Sequence, residues 1–181
     1  MILAIVGMAG SGKSQVTRRL AEKGLPTLRF GAIIIDEVLA RGLSITPEHE
    51  RLVREELRAA HGMDVCAQLS LPQLRALRAE HPVVIIDGMY SFSEYKTLKR
   101  AFDDELVVVA VYAPRALRYR RLAERDERPL TASEAEARDY QEIEHIEKGG
   151  PIAMADHLIV NDSDLATLNA RVDALYALLM G

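Results

Sequence analysis

Eight residues near the start of the chain limit its fold more than any others: Gly7-Met8-Ala9-Gly10-Ser11-Gly12-Lys13-Ser14. They fit the pattern G-x-x-x-x-G-K-[ST]. They stand directly behind the apolar run at 2–6 and ahead of a helix-like stretch from Ser14 to about Lys23. Strand, glycine-rich turn and helix, in that order, is the context in which this pattern has a mechanism. Small residues let successive amides curl around phosphate oxygens, and the helix N-terminus adds partial positive charge. Lys13 is placed to reach the outer phosphates of a nucleotide, and Ser14 offers a hydroxyl to a magnesium ion. The plain alternative is a turn that uses glycine for conformational freedom alone. Agreement of the pattern with its flanks favours the cradle, with Gly7, Ala9, Gly10, Ser11, Gly12, Lys13 and Ser14 as its residues.

Beyond the loop, strand-like and helix-like segments alternate, which points to an α/β fold. Apolar runs at 2–6, 26–30, 82–87, 105–113 and 156–161 read as strands. Runs buried on both faces and joined by helices imply a parallel sheet. Helices are expected at 33–41, over most of 47–79, at 91–102, from Pro114 to about Arg125, at 133–148 and after Leu165. Thr46 followed by Pro47 makes a good helix start, and Gly149-Gly150-Pro151 reads as a helix break. No composition shift marks a domain boundary, so residues 1–181 are expected to form one domain with helical insertions near 31–80 and 124–135.

Bulk properties exclude several classes. A net charge of −4 over 181 residues provides no global basic field for nucleic acid or an acidic membrane. The single cysteine, Cys66, permits no disulfide framework and no cysteine-based zinc site. With no signal-peptide pattern at the start, this suggests a reducing cytoplasm. The five histidines are scattered and read as structural or exposed. No N-K-x-D sequence is present to read guanine.

Two further features carry chemistry. Asp87 closes the apolar run 82–87, where an acid can order magnesium beside a phosphate loop; otherwise it is a strand-end acid capping a turn. Arg115, Arg118, Arg121, Arg125 and Arg128 are spaced 3, 3, 4 and 3. In one helix they would share a face. That face either is solvated and balanced by Glu124, Asp126 and Glu127, or meets a polyphosphate through Arg121 or Arg125.

With these residues in place, the chain resembles the nucleoside-monophosphate-kinase branch of P-loop proteins. The likeness is to dephospho-CoA kinase and to a largely archaeal family of predicted nucleotide kinases. It runs from "ILAIVGMAGSGKS" through "RYRRLAERD" and "EAEARDYQEIE" to "MADHLIVNDSDLATLNARV". The resemblance implies a three-layer P-loop fold with a five-stranded parallel sheet, an acceptor-binding insertion at 31–80 and a short lid at 124–135. It implies ATP with Mg²⁺ as phosphoryl donor, a small-molecule acceptor, and Arg121 and Arg125 as lid arginines. It puts Asn161 near the adenine, although a strand-end turn residue is an equal reading. Lys13, Asp87, Arg121 and Arg125 are thus the candidate catalytic residues, with Ser14 and Asp87 at the metal.

Two positions depart from the family pattern. Ala32 stands where an acid often follows the second strand, leaving Asp36 as a substitute base or a mere surface acid. Tyr90 stands where an arginine is often found after the Asp-Gly pair. Arg29, Arg54 and Arg58 then either supply charge to an acceptor or pair with Glu50 and Glu55. The expected activity is ATP-dependent phosphoryl transfer; a nucleotide-binding regulator or scaffold on a kinase fold is the rival.

Overall fold

The computed structural model describes all 181 residues. Five strands form one sheet: β1 (Ile2–Val6), β2 (Thr27–Arg29), β3 (Val84–Asp87), β4 (Leu106–Tyr112) and β5 (His157–Val160). Their order is β2-β3-β1-β4-β5, and every neighbouring pair is parallel. β1 therefore lies at the centre, with β3 on one side and β4 on the other. The register sets Ile5 opposite Asp87 and Val6 opposite Ala110. The chain leaves β1 for β2 and β3 on one side and then crosses over to β4 and β5 on the other, so the crevice above the carboxyl end of β1 is where ligands gather in open α/β sheets.

The helices are α1 (Lys13–Ala21), α2 (Phe30–Ala40), α3 (Pro47–His61), α4 (Val65–Glu80), α5 (Phe92–Phe102), α6 (Arg115–Ala123), α7 (Ala132–Glu144), α8 (Gly149–Ala153) and α9 (Leu165–Met180). Period-two alternation in the strands divides the core. Ile2, Ala4 and Val6 of β1 join Ile86 and Val108 against Ile34, Val53, Leu74 and Leu98 of α2, α3, α4 and α5. Leu3 and Ile5 join Ile85 and Val109 against Val16 and Leu20 of α1 and Val172 of α9. This is the expected three-layer arrangement, with one helical layer on each face of the sheet.

Local chemistry explains the helix starts nearest the crevice. Thr46 Oγ1 accepts from His49 N at 3.2 Å, with Pro47 in the first turn of α3. Ser91 and Glu94 form a reciprocal capping box on α5, and Thr131 and Glu134 form another on α7. Buried Glu94 does more: its Oε2 also accepts from Tyr90 N at 2.7 Å, which fixes the turn after Asp87.

Several boundaries differ from those the sequence suggests. β2 stops at Arg29, and α2 begins at Phe30 rather than 33. The insertion is three helices, with Gly62 closing α3 at φ 95°. α7 ends at Glu144, and Gly149-Gly150-Pro151 begins the short α8 instead of leaving a break. α6 ends at Ala123, so Arg125 and Arg128 lie beyond it and the five arginines do not form one helical ladder. Of the segment 124–135, residues 124–131 connect helices and 132–135 already belong to α7.

Candidate active site

Residues 7–12 leave the end of β1 and turn over the N-terminus of α1. Gly7, Gly10 and Gly12 have φ of 148°, 76° and 99°, values that favour glycine. There is also no room for a side chain. A Cβ would stand 2.4 Å from the Val111 carbonyl oxygen at Gly7, 2.8 Å from that of Arg118 at Gly10, and 2.1 Å from Asn161 Nδ2 at Gly12. The amides of Gly10, Gly12, Lys13 and Ser14 donate to no carbonyl of the chain. Converging free donors at a helix N-terminus are what a phosphate group requires. By its own geometry this loop fits a nucleotide polyphosphate.

Lys13 Nζ lies back over the loop, donating to the Gly7 carbonyl at 2.8 Å and the Met8 carbonyl at 3.0 Å. Burial, and then the nearby positive charge of Lys148, lower its pKa to about 7. Asp87 is close enough to oppose that shift, so the end of β3 and the loop do meet. Asp87 also lies 3.8 Å from Arg29 Nε. Ser14 is exposed in the first turn of α1. The chain contains no cluster of three or more His, Cys, Asp or Glu side chains able to hold a metal. A magnesium ion at Ser14 and Asp87 would therefore draw its remaining ligands from phosphate and water, which suits that ion.

Two spaces open beside the loop. One, of about 540 Å³, is bounded by Gly12, Lys13, Ser14, Arg121, Arg125 and Asn161. Arg121 is fastened there by hydrogen bonds of 3.2 Å to the carbonyl and to Oδ1 of Asn161. Arg125 Nε donates to the Arg128 carbonyl. Asn161 is buried and ties Nδ2 to the Ser11 carbonyl at 2.8 Å, so its side chain braces the loop from behind. Ala9 and Ser11 are buried in the loop itself, Ser11 Oγ without any partner.

On the other side of Ala9 and Lys13 is a hollow of about 280 Å³, walled by Arg54, Arg58, Tyr90, Arg138, Glu142 and Lys148. It adjoins a larger groove of about 690 Å³ between α3 and α7, where Arg54, Arg58 and Arg138 recur and Arg51 joins them. The cations that line the hollow beside Tyr90 come from α3 and α7, and from Lys13 and Lys148. Arg54 is 4.0 Å from Glu50, at the limit of an ion pair, while Arg58 Nε is buried without a partner. Asp36 is exposed on α2, and Ala32 supplies no carboxylate.

The roles of three groups were not legible in the sequence. Arg118 is buried and grips Asp139 through two bonds of 2.8 and 2.6 Å while donating to the Ala9 carbonyl at 3.0 Å. It locks α6 to α7 and to the loop, and is not free for a ligand. Glu142 and Lys148 form a 2.7 Å pair next to Ala9. On a linear reading, the charged run "RDYQEIEHIEK" is an ordinary solvated helix face; only the fold brings Glu142 to a residue 133 positions away.

A central β1 feeding a P-loop, flanked by β3 and β4 in an all-parallel sheet, defines a P-loop protein of kinase-like architecture. The fold is shared with shikimate kinase from Bacteroides thetaiotaomicron (TM-score 0.65, 18% identity, 100% of this chain and 99% of that one). It is also shared with dephospho-CoA kinase from Campylobacter jejuni (TM-score 0.56, 17% identity, covering 98% and 96%). A family model described as "AAA domain" matches residues 3–158. A UPF0200 protein of Thermococcus gammatolerans is 36% identical over 178 residues, covering 97% of this chain and 93% of the relative. The chain belongs to the AAA-domain family and, within P-loop proteins, to the UPF0200 family.

Proposed function

We propose that this protein is an ATP-dependent kinase acting on a small molecule that carries an anionic group. The observation that carries the reading is the loop: four free amides, three glycines without space for a Cβ, and Lys13 lie between one cleft and one cation-rich hollow. The loop amides and Lys13 would hold the β- and γ-phosphates. Ser14 and Asp87 would hold magnesium, which neutralises phosphate charge when bound. Arg121 of α6 and Arg125 in the 124–131 connection would cover the nucleotide and exclude water. The acceptor would enter from the α3–α7 side, where Arg54, Arg58 and Arg138 supply the charge for its anion.

In the transfer, the acceptor oxygen bonds to the γ-phosphorus as the bond to the β–γ bridging oxygen breaks, and the acceptor's proton is released. Such chemistry depends mainly on positioning and charge, so Ala32 in place of an acid is compatible with catalysis. The net charge of −4 gives the chain no global basic field, and the structure has no helix long and apolar enough to cross a membrane. These features favour small-molecule partners.

The test is ADP release across a panel of dephospho-CoA, nucleoside monophosphates and nucleosides, with wild type and Lys13→Ala. Stimulation by one acceptor, lost in Lys13→Ala, is the expected outcome. ATP binding without stimulation by any acceptor would favour the second reading, a nucleotide-dependent regulator, which the missing carboxylate at Ala32 motivates. A Lys13→Ala protein that binds and turns over ATP normally contradicts the assignment.

A further inference from the structure

The kinase reading leaves two residues without a role: Glu142 and Lys148. Their side chains are 7% and 5% exposed. Removing two charges from water is costly, and apolar residues would join α7 to α8 at least as well. Nor is the pair sealed in the core. Both residues line the 280 Å³ hollow beside the loop, where Lys13, Arg54, Arg58 and Arg138 also converge. Five cationic side chains thus surround a small space that holds a single carboxylate.

Glu142 serves these cations as a local anion. Its Oε2 accepts from Lys148 Nζ at 2.7 Å and, at a longer 3.4 Å, from Ala9 N; its Oε1 accepts from Arg138 Nε at 3.1 Å. Lys148 Nζ has Glu142 as its one hydrogen-bond partner and otherwise lies 4.7 Å over the Tyr90 ring. An ammonium group carries three donors, so capacity remains for a second oxyanion. Lys148 borders the hollow but not the nucleotide cleft, whereas Lys13 borders both. Lys13 is thus the lysine common to both spaces, and a phosphate chain running past it from the cleft would next meet Lys148.

We infer that Lys148 is a second phosphate-binding lysine: it contacts the terminal phosphate of a nucleoside triphosphate held on the loop, and Glu142 positions it. The inference rests on the nucleotide reading of that loop. It makes a specific demand: a diphosphate held on the loop amides would stop short of the hollow, and a triphosphate would extend into it. Lys148 should sense the third phosphate and ignore the first two.

Calorimetric titration with magnesium, using ADP and a non-hydrolysable ATP analogue as probes, reads this directly. Lys148→Gln should weaken the analogue about tenfold or more, as expected for loss of a charge-assisted bond, while ADP affinity stays within about twofold. Lys148→Arg should recover part of the loss. The double variant Glu142→Gln/Lys148→Gln removes both buried charges together, and guards against a misfolded single variant; it should show the same selective loss. Equal weakening of both ligands, or of neither, overturns the inference alone. Failure of the wild-type protein to bind either nucleotide overturns the loop reading and this inference with it.

Discussion

Asn161 Nδ2 donates to the Ser11 carbonyl at 2.8 Å and occupies the space that a side chain on residue 12 would need. The end of β5 therefore sets the shape of a loop 150 residues away. Gly12→Ala would meet both the 2.1 Å clash and the strained φ of 99°. Nucleotide affinity should fall at least tenfold. Removing the obstacle in a Gly12→Ala/Asn161→Ala double variant should not restore it, because the backbone strain remains. Asn161→Ala alone should destabilise the fold by about 1–3 kcal/mol, the scale for leaving a buried polar group without its partner. Calorimetry and urea denaturation check the two parts. Full recovery of binding in the double variant would refute the backbone argument.

The Arg118–Asp139 pair, with both side chains 8% exposed, holds α6, α7 and the Ala9 carbonyl together. Asp139→Ala leaves a buried guanidinium uncompensated, which typically costs about 3–5 kcal/mol. The expected result is a large drop in the denaturation midpoint. Arg118→Met/Asp139→Leu, which removes both charges, should regain much of it. A single variant that unfolds like the wild type would show that the pair contributes little.

Lys13, with a pKa near 7 in the nucleotide-free protein, links binding to pH. Below pH 7 the buried ammonium is charged in the folded and unfolded chain alike, and its cost to stability is fully present. From about pH 7 to 10.5 the unfolded chain holds more of that proton, so this residue's contribution to stability improves as pH rises. Binding runs the opposite way: phosphate needs the ammonium, so affinity should fall above pH 7. At pH 8 the protein should take up close to one proton on binding the nucleotide. Titrations in two buffers of different ionisation heat measure the uptake. A Lys13→Arg variant, which remains charged, should show none.

Such coupling was not legible in the sequence, although the loop that contains Lys13 was. The pattern at 7–14 and the five apolar runs specify strand, turn and helix locally, and strand burial on both faces dictates a parallel sheet. Asp87 was legible for the same reason, as an acid at a strand end. Arg118 was misleading: its spacing from Arg121 suggested a shared face, but Asp139 claims it. Glu142 and Lys148 gave no signal, because charge runs look alike in a sequence whether they face water or a buried hollow. Helix ends shifted where tertiary contacts decide them, as at Phe30, which joins the core instead of extending β2.

The last prediction concerns the acceptor. Arg58 projects from α3 into the hollow and the adjoining groove, and its buried Nε has no partner within the chain. A buried donor left unmatched is costly, so an oxyanion supplied by the acceptor would relieve a penalty already present in the fold. Arg58→Ala should therefore raise the KM for the stimulating acceptor by about tenfold to a hundredfold, the range of a charged hydrogen bond. The affinity for ADP should change little, since Arg58 does not border the cleft that holds the first two phosphates. Rising salt should weaken acceptor binding in the wild type and do so less in the variant. Steady-state kinetics at two ionic strengths decides the matter: an unchanged acceptor KM would place the anion of the acceptor elsewhere.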